Sequence, residues 1–259
     1  MKKWLCFFLM LISVCLFSAW DKYYKPRVLV FGKTAGFHHE SIPKGIAAIQ
    51  KLCAENNFDV NTTTDATYFN DDSLSKYASV IFLSTTGTLF NAIQRIAFER
   101  YIQAGGGYVG VHAACDAEYD WEWYHKLVGA YFLSHPPQQE AKLIIQNKSH
   151  PATKYLPNMW TRKDEWYNFK QLNKDVKVLI TIDEKSYKGG ANGDYHPMAW
   201  YHNYDGGRAF YTALGHTDES YNDSLFLKHL LGGIQYAIGK NKKLNYKKAV
   251  SEYPPPSVQ

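Results

Sequence analysis

Short apolar runs that end in glycine or a small polar residue alternate here with amphipathic stretches, and this alternation restricts the fold more than any other feature. Residues 27–32 (RVLVFG), 78–84 (ASVIFLS) and 108–114 (YVGVHAA) are apolar on both faces, the pattern of strands covered on both sides in a parallel sheet. Ser41 stands where it can cap a helix running to Asn56, with Pro43 tolerated in the first turn. A weaker strand is expected over 59–63. Asn91 and Gln94 have capping-box spacing, and Ile93, Ile96, Ala97 and Tyr101 fall on one helical stripe. Gly105 to Gly107 stop that helix. Strand, helix, strand, strand, helix, strand predicts an α/β fold with a largely parallel central sheet.

The second half changes character. Strands are expected over 141–146 and 176–182, and 198–203 with 208–214 flank Tyr204-Asp205-Gly206-Gly207 as a β-hairpin. A closing helix spans 225–239. No internal repeat or linker divides residues 20–239, which read as one domain. Before it, Lys2 and Lys3 precede an apolar run from Trp4 to Phe17. That run is too short to cross a membrane and suits a secretory leader over 1–19, so export to the periplasm or outside is expected. Cys15 keeps a lipid anchor open as the alternative, so contact with a membrane is expected only through this leader or that anchor. Removing the leader leaves Cys53 and Cys115, too few for a disulfide scaffold. Residues 240–259 form a basic, proline-containing tail.

Charge narrows the partners. The 259 residues carry a formal +5, but seven of the 29 basic residues are Lys2, Lys3, Lys240, Lys242, Lys243, Lys247 and Lys248. Without them, 22 basic residues face 24 acidic ones. The body offers no basic face for nucleic acid, and an uncharged small molecule suits it better. The GGGYVG run from Gly105 spells a dinucleotide fingerprint, yet it ends a helix and enters a strand, the reverse of what a pyrophosphate requires. Gly32-Lys33-Thr34 lacks the first glycine of a phosphate loop. Neither a Gly-x-Ser-x-Gly elbow nor a His-Glu-x-x-His helix occurs.

Ligands of open α/β sheets bind beyond the carboxyl ends of the strands. Those ends carry Lys33 to Glu40 with His39, Thr85 to Thr88, His112 to Trp121, and Gly215 to Asp218 with His216. Imidazoles and carboxylates gathered on one edge tune one another's proton affinity. Tyr119 and Trp121, with Trp123 and Tyr124, add aromatic faces near Asp116, and Glu165-Trp166-Tyr167 and His196 pair polar groups with rings. Such a mixture suits a polyhydroxylated ligand, although core packing also consumes aromatics. Nothing in the spacing requires a cofactor. A zinc site built from His39, His112 and His216 is the alternative use of the histidines.

Residues 28–43 (VLVFGKTAGFHHESIP), 104–114 (AGGGYVGVHAA), 118–121 (EYDW), 164–167 (DEWY), His196-Pro197 and 206–217 (GGRAFYTALGHT) resemble, in order, segments of the ThuA-like, trehalose-utilisation family. The resemblance spans roughly 27–239. It implies a flavodoxin-like, class I glutamine amidotransferase-like three-layer sandwich, and a role in the breakdown of trehalose and related disaccharides through 3-keto sugars. The amidotransferase nucleophile has no counterpart, because His112 stands on the strand-end position and Cys115 lacks elbow glycines. Glutamine hydrolysis is therefore not expected. The expected activity is acid/base chemistry on a glycoside or its keto form, by an isomerase, lyase or hydrolase. His112 and His216 form the expected acid/base pair, with Asp116 or Glu165 assisting. Lys33, His39, Tyr119, Trp121, Trp166, Tyr167 and His196 would line the site. A non-catalytic sugar-binding protein and a zinc-dependent hydrolase are the other readings.

Overall fold

A computed structural model describes residues 25–240 and 243–254. The leader expected over 1–19, with Cys6 and Cys15, lies outside the described residues, as do Lys242, Pro255 and Pro256. From the start of the described chain, β1 (Arg27–Phe31) leads through a loop into α1 (Ile42–Glu55), β2 (Asp59–Thr63), the short α2 (Asp71–Leu74) and β3 (Ser79–Leu83). A two-residue β4 (Thr86–Gly87), α3 (Ala92–Gln103) and β5 (Gly107–Val111) follow. Asn91 and Gln94 make the expected capping box at α3. Ser41 precedes α1 as expected but makes no side-chain cap bond; proline occupies the first turn instead, where a missing N–H costs nothing. Ile93 departs from the expected stripe and is exposed, while Ala97, Phe98, Tyr101 and Ile102 are buried.

After β5 the chain passes β6 (Asp116–Ala117), α4 (Glu122–Val128), β7 (Tyr131–Ser134), β8 (Gln139–Ile145) and β9 (Met159–Asp164). It then forms β10 (Asn168–Lys170), β11 (Lys177–Ile182), β12 (His196–Tyr204), β13 (Gly207–Thr212) and α5 (Ser224–Ile238). The hairpin β12–β13 turns at Asp205 and Gly206, both at positive φ, as a tight two-residue turn demands. The sequence marks no strand over β9. Its buried positions are Trp160, Arg162 and Asp164, so two inward residues are charged and the period-two signal is hidden.

One nine-stranded sheet has the order β2-β1-β3-β5-β13-β12-β11-β8-β9. From β2 to β13 all pairings are parallel; from β13 to β9 all are antiparallel. The sheet is covered on both faces. Phe82 and Tyr108 project toward Phe98 of α3 and Tyr124 of α4. Phe210, in register with Val109, projects the other way onto His229 of α5. That gives three layers, with the core on either side of the parallel half. Gly107 is required where α5 crosses β5, since a Cβ there would overlap the carbonyl of Ala237.

Part of the tail is bound rather than loose. Gln103 Oε1 accepts from the amides of Val250 and Ser251, and Arg100 donates to the Ser251 carbonyl, so the segment straps across α3. Among the described residues, no helix is long and apolar enough to cross a membrane.

Candidate active site

At the carboxyl end of β5 the chain departs from regular geometry. His112 takes φ +50°, a region that non-glycine residues enter only where the surroundings hold them. Two bonds hold it. Its Nδ1–H donates to the Ala213 carbonyl at 2.8 Å, and the Tyr211 hydroxyl donates to the His112 carbonyl at 2.7 Å. A carbonyl only accepts, so Nδ1 carries a proton, and whenever the ring is neutral Nε2 presents its lone pair. That Nε2 lies 3.0 Å from His216 Nδ1 and 3.4 Å from Glu165 Oε2. His216 Nδ1 lies 3.1 Å from the same carboxylate oxygen.

His39, from the loop after β1, completes the group. Its ring stands edge-on to those of His112 and His216, with centroids 4.9 and 5.1 Å away. One donor atom from each of His39, His112, Glu165 and His216 lies within 4.8 Å of every other. Three imidazoles and a carboxylate are donors that a first-row divalent metal accepts.

Asp164 frames two of the four. Fully buried against Arg162 Nη2 at 3.0 Å, its carboxylate accepts from the amides of Glu165, Gly215 and His216 at 3.0, 3.0 and 3.1 Å. A single side chain on the far edge strand thus holds Glu165 and His216 together. On a flat sheet the four strand spacings between β13 and β9 would exceed about 19 Å. Bonds of 3 Å therefore require the antiparallel half to curl back over the strand ends.

Burial alone would raise the Glu165 carboxyl, but hydrogen bonds from the His112 and His216 rings in their protonated forms outweigh it and hold the group far below the ordinary carboxylate range. Burial, reinforced by His112 and His216, pushes His39 from 6.5 down to about 3, so this ring is neutral. Burial raises Asp116, partly offset by the Tyr119 hydroxyl, which donates to it at 2.6 Å. Burial raises the Cys115 thiol far above its usual range. Cys115 Sγ accepts from Tyr211 at 3.0 Å. A buried thiol so placed is no nucleophile.

Exposure separates the residues that substrate can reach from those behind. The His112 side chain is fully buried, whereas those of Glu165 and His216 are 8% and 16% exposed. Tyr167 packs its ring 4.3 Å from His112 and, in turn, 4.4 Å from Phe132. Tyr119 is 44% exposed, and its hydroxyl donates to Asp116. Four other residues marked in the sequence lie apart from the cluster's contacts. Lys33 donates to the Leu89 carbonyl and lines a separate hollow at the start of α3. Trp121 stacks on Trp123 and Tyr124 and donates to Glu99. Trp166 is in the core, donating to the Gln139 carbonyl. His196 has both ring nitrogens engaged, by Glu184 and the Tyr167 carbonyl, and so braces Tyr167 from behind.

Three nearby residues were not nominated from the sequence, although Phe37 and Asp164 lie within segments 28–43 and 164–167. His135, in the loop after β7, places Nδ1 3.1 Å from Glu165 Oε1 and is 42% exposed. Phe37 is largely exposed and meets His39 edge-on at 4.8 Å. Asp164 is the third. A cavity of about 650 Å³ opens beside Tyr119, lined also by His125, Tyr131, Asn173 and Tyr204. None of the four clustered donors lines it.

Comparison with known proteins places this geometry in context. A family model described as ThuA, trehalose utilisation, matches residues 27–237. A putative ThuA-like protein from Bacteroides uniformis is 27% identical, with a TM-score of 0.72 over 86% of this chain and 96% of that one. A second, from Parabacteroides merdae, is 22% identical, with a TM-score of 0.71 over 89% and 94%. No curated protein matches the chain.

Proposed function

Because the chain belongs to the ThuA, trehalose-utilisation family, we propose that it is an exported protein that processes a disaccharide, a glycoside or its 3-keto derivative at the His39–His112–Glu165–His216 cluster. One observation carries this reading: four proton-accepting side chains from distant parts of the chain converge at the strand ends, with His216 and Glu165 reached by solvent to 16% and 8%. Such a group suits proton transfer beside a sugar carbonyl. A keto group acidifies the neighbouring C–H, because the electron pair left on carbon delocalises onto the carbonyl oxygen. A base removes that proton while an electrophile or acid stabilises the oxygen. Returning the proton to the other carbon isomerises the sugar, and expelling a β-oxygen leaving group eliminates it.

Burial divides the labour. His216 and Glu165 face the crevice and touch substrate; His112 stands behind them and sets the orientation of both. Phe37 and Tyr119 offer exposed aromatic faces on which a pyranose ring can stack.

The test is a mass-spectrometric screen of the purified protein against native and 3-keto disaccharides. A changed product is expected with the keto form, and His216→Ala and Glu165→Gln should each lower turnover by about 10²–10⁴-fold while circular dichroism stays native. Saturable sugar binding with no product would replace the enzyme by a binding protein. Neither binding nor turnover across the panel would sink the carbohydrate reading.

A further inference from the structure

The geometry points to a mononuclear site for a first-row divalent metal ion, zinc or a close neighbour, ligated by His39, His112, Glu165 and His216. This deepens the reading just given by naming the electrophile at the same site, and it rests on the same cluster; with the four lone pairs on the ion, a hydroxide bound to that ion takes the substrate proton. Lone-pair counting is the first argument. His112 donates its Nδ1–H to the Ala213 carbonyl, so its Nε2 lone pair points at His216 Nδ1 and at an oxygen of Glu165. Acceptors directed at one another repel unless a cation lies between them. A single proton on His216 Nδ1 bridges at most to His112 and Glu165. It would leave His39, whose Nδ1 is buried and has no hydrogen-bond partner among the described residues. A divalent ion satisfies all four.

Spacing is the second argument. Metal–nitrogen and metal–oxygen bonds of about 2.0–2.2 Å in a tetrahedral shell put donor atoms about 3.4 Å apart. The three pairs among His112, His216 and Glu165 measure 3.0, 3.4 and 3.1 Å, and His39 keeps the whole set within 4.8 Å. A small rotation of His39 closes the shell.

The outer contacts are the third. Metal-bound histidines donate their second nitrogen to a carbonyl or carboxylate, and metal-bound carboxylates are themselves hydrogen-bonded. His112 does the first through Ala213. Glu165 does the second through its other oxygen, 3.1 Å from His135 Nδ1. Asp164 then fixes the backbone of both Glu165 and His216. Three nitrogens and one oxygen suit zinc, cobalt, nickel or iron(II) rather than magnesium or calcium, which favour all-oxygen shells. The partial exposure of Glu165 and His216 lets the ion expand to a fifth ligand from solvent, a position where a carbonyl or hydroxyl oxygen of a sugar could be polarised.

The test uses no sugar, so it can fail without touching the carbohydrate reading, and the substrate screen can fail without touching this one. Full-length protein is stripped with a chelator and titrated with cobalt(II), followed by visible absorption and calorimetry. One equivalent is expected, with the strong ligand-field bands of a low-coordinate ion, and zinc should displace it. His216→Ala and His39→Ala should weaken binding by more than the roughly 10–100-fold that loss of a supporting partner costs. His39→Gln, closer in volume, guards against misfolding, and metal-free melting curves verify each variant. Absence of stoichiometric uptake by the native protein, or unchanged affinity in folded His39 and His216 variants, would overturn the assignment.

Discussion

At the scale of single residues, His112 shows how much one position depends on its surroundings. Its left-handed backbone costs of order 1–3 kcal/mol, offset by the bonds from Tyr211 and to Ala213. Asp164 matters as much without reaching the crevice, because it accepts three backbone amides and pairs with buried Arg162. Asp164→Asn is expected to destabilise the fold by about 3–5 kcal/mol, the range for breaking a buried pair. Any folded fraction should also bind cobalt(II) about 10–100-fold more weakly. Urea titration and the metal titration read the two effects separately. A variant with native stability and native affinity would remove Asp164 from the frame. His39, His112 and His216 were legible as strand-end residues. Asp164 and His135 were not, because one hides in a strand with charged inward positions and the other in a loop without periodicity.

At the scale of elements, the loops beyond β3 and β5 are locked together by a buried carboxylate. Glu118, at φ +58°, accepts from the amides of Leu89 at 2.5 Å and Phe90 at 3.0 Å and pairs with Arg95 at 2.6 Å. The parallel pairing of β4 with β6 rests on the same junction, through the Glu118 amide bonded to the Gly87 carbonyl. Glu118→Ala should therefore cost about 3–5 kcal/mol, since two buried amides lose their acceptor and Arg95 is left with Asp120 alone. A chemical denaturation midpoint within error of the native value would contradict this. The sequence marks Glu118 as part of the 118–121 segment. Only the fold shows which face of that loop is inward. The capping box at Asn91 was readable because it is local, within three residues. Ser41 misled because the residues around a helix start, not the serine alone, decide whether a hydroxyl caps it.

Across the whole molecule, many imidazoles are buried neutral. Burial pushes His125, His150 and His229 from 6.5 down to about 4 each. In the unfolded chain they regain their ordinary affinity, so between pH 6.5 and 4 the unfolded state binds more protons than the folded one. Stability then falls as pH is lowered through that window and is fully present above it. Melting temperature should drop progressively from pH 7 to pH 4.5; a flat profile would show that these rings accept protons without loss of packing.

Periodicity, glycine stops and capping spacings are local, and they sufficed for the parallel α/β half, the β12–β13 hairpin and the edge at which polar residues collect. These signals span a few residues because backbone geometry repeats over two or 3.6 residues. What they leave open is which strand ends meet. His39, His112, Glu165 and His216 come together because β13 inserts beside β5 and the antiparallel half curls until β9 returns to the segment after β13. No local pattern encodes that curl; it follows from burying both sheet faces and from the Arg162–Asp164 pair finding its amides. The chain alone determined the α/β plan and nominated the histidines, and the tertiary structure alone decided that three of them share one point with a carboxylate.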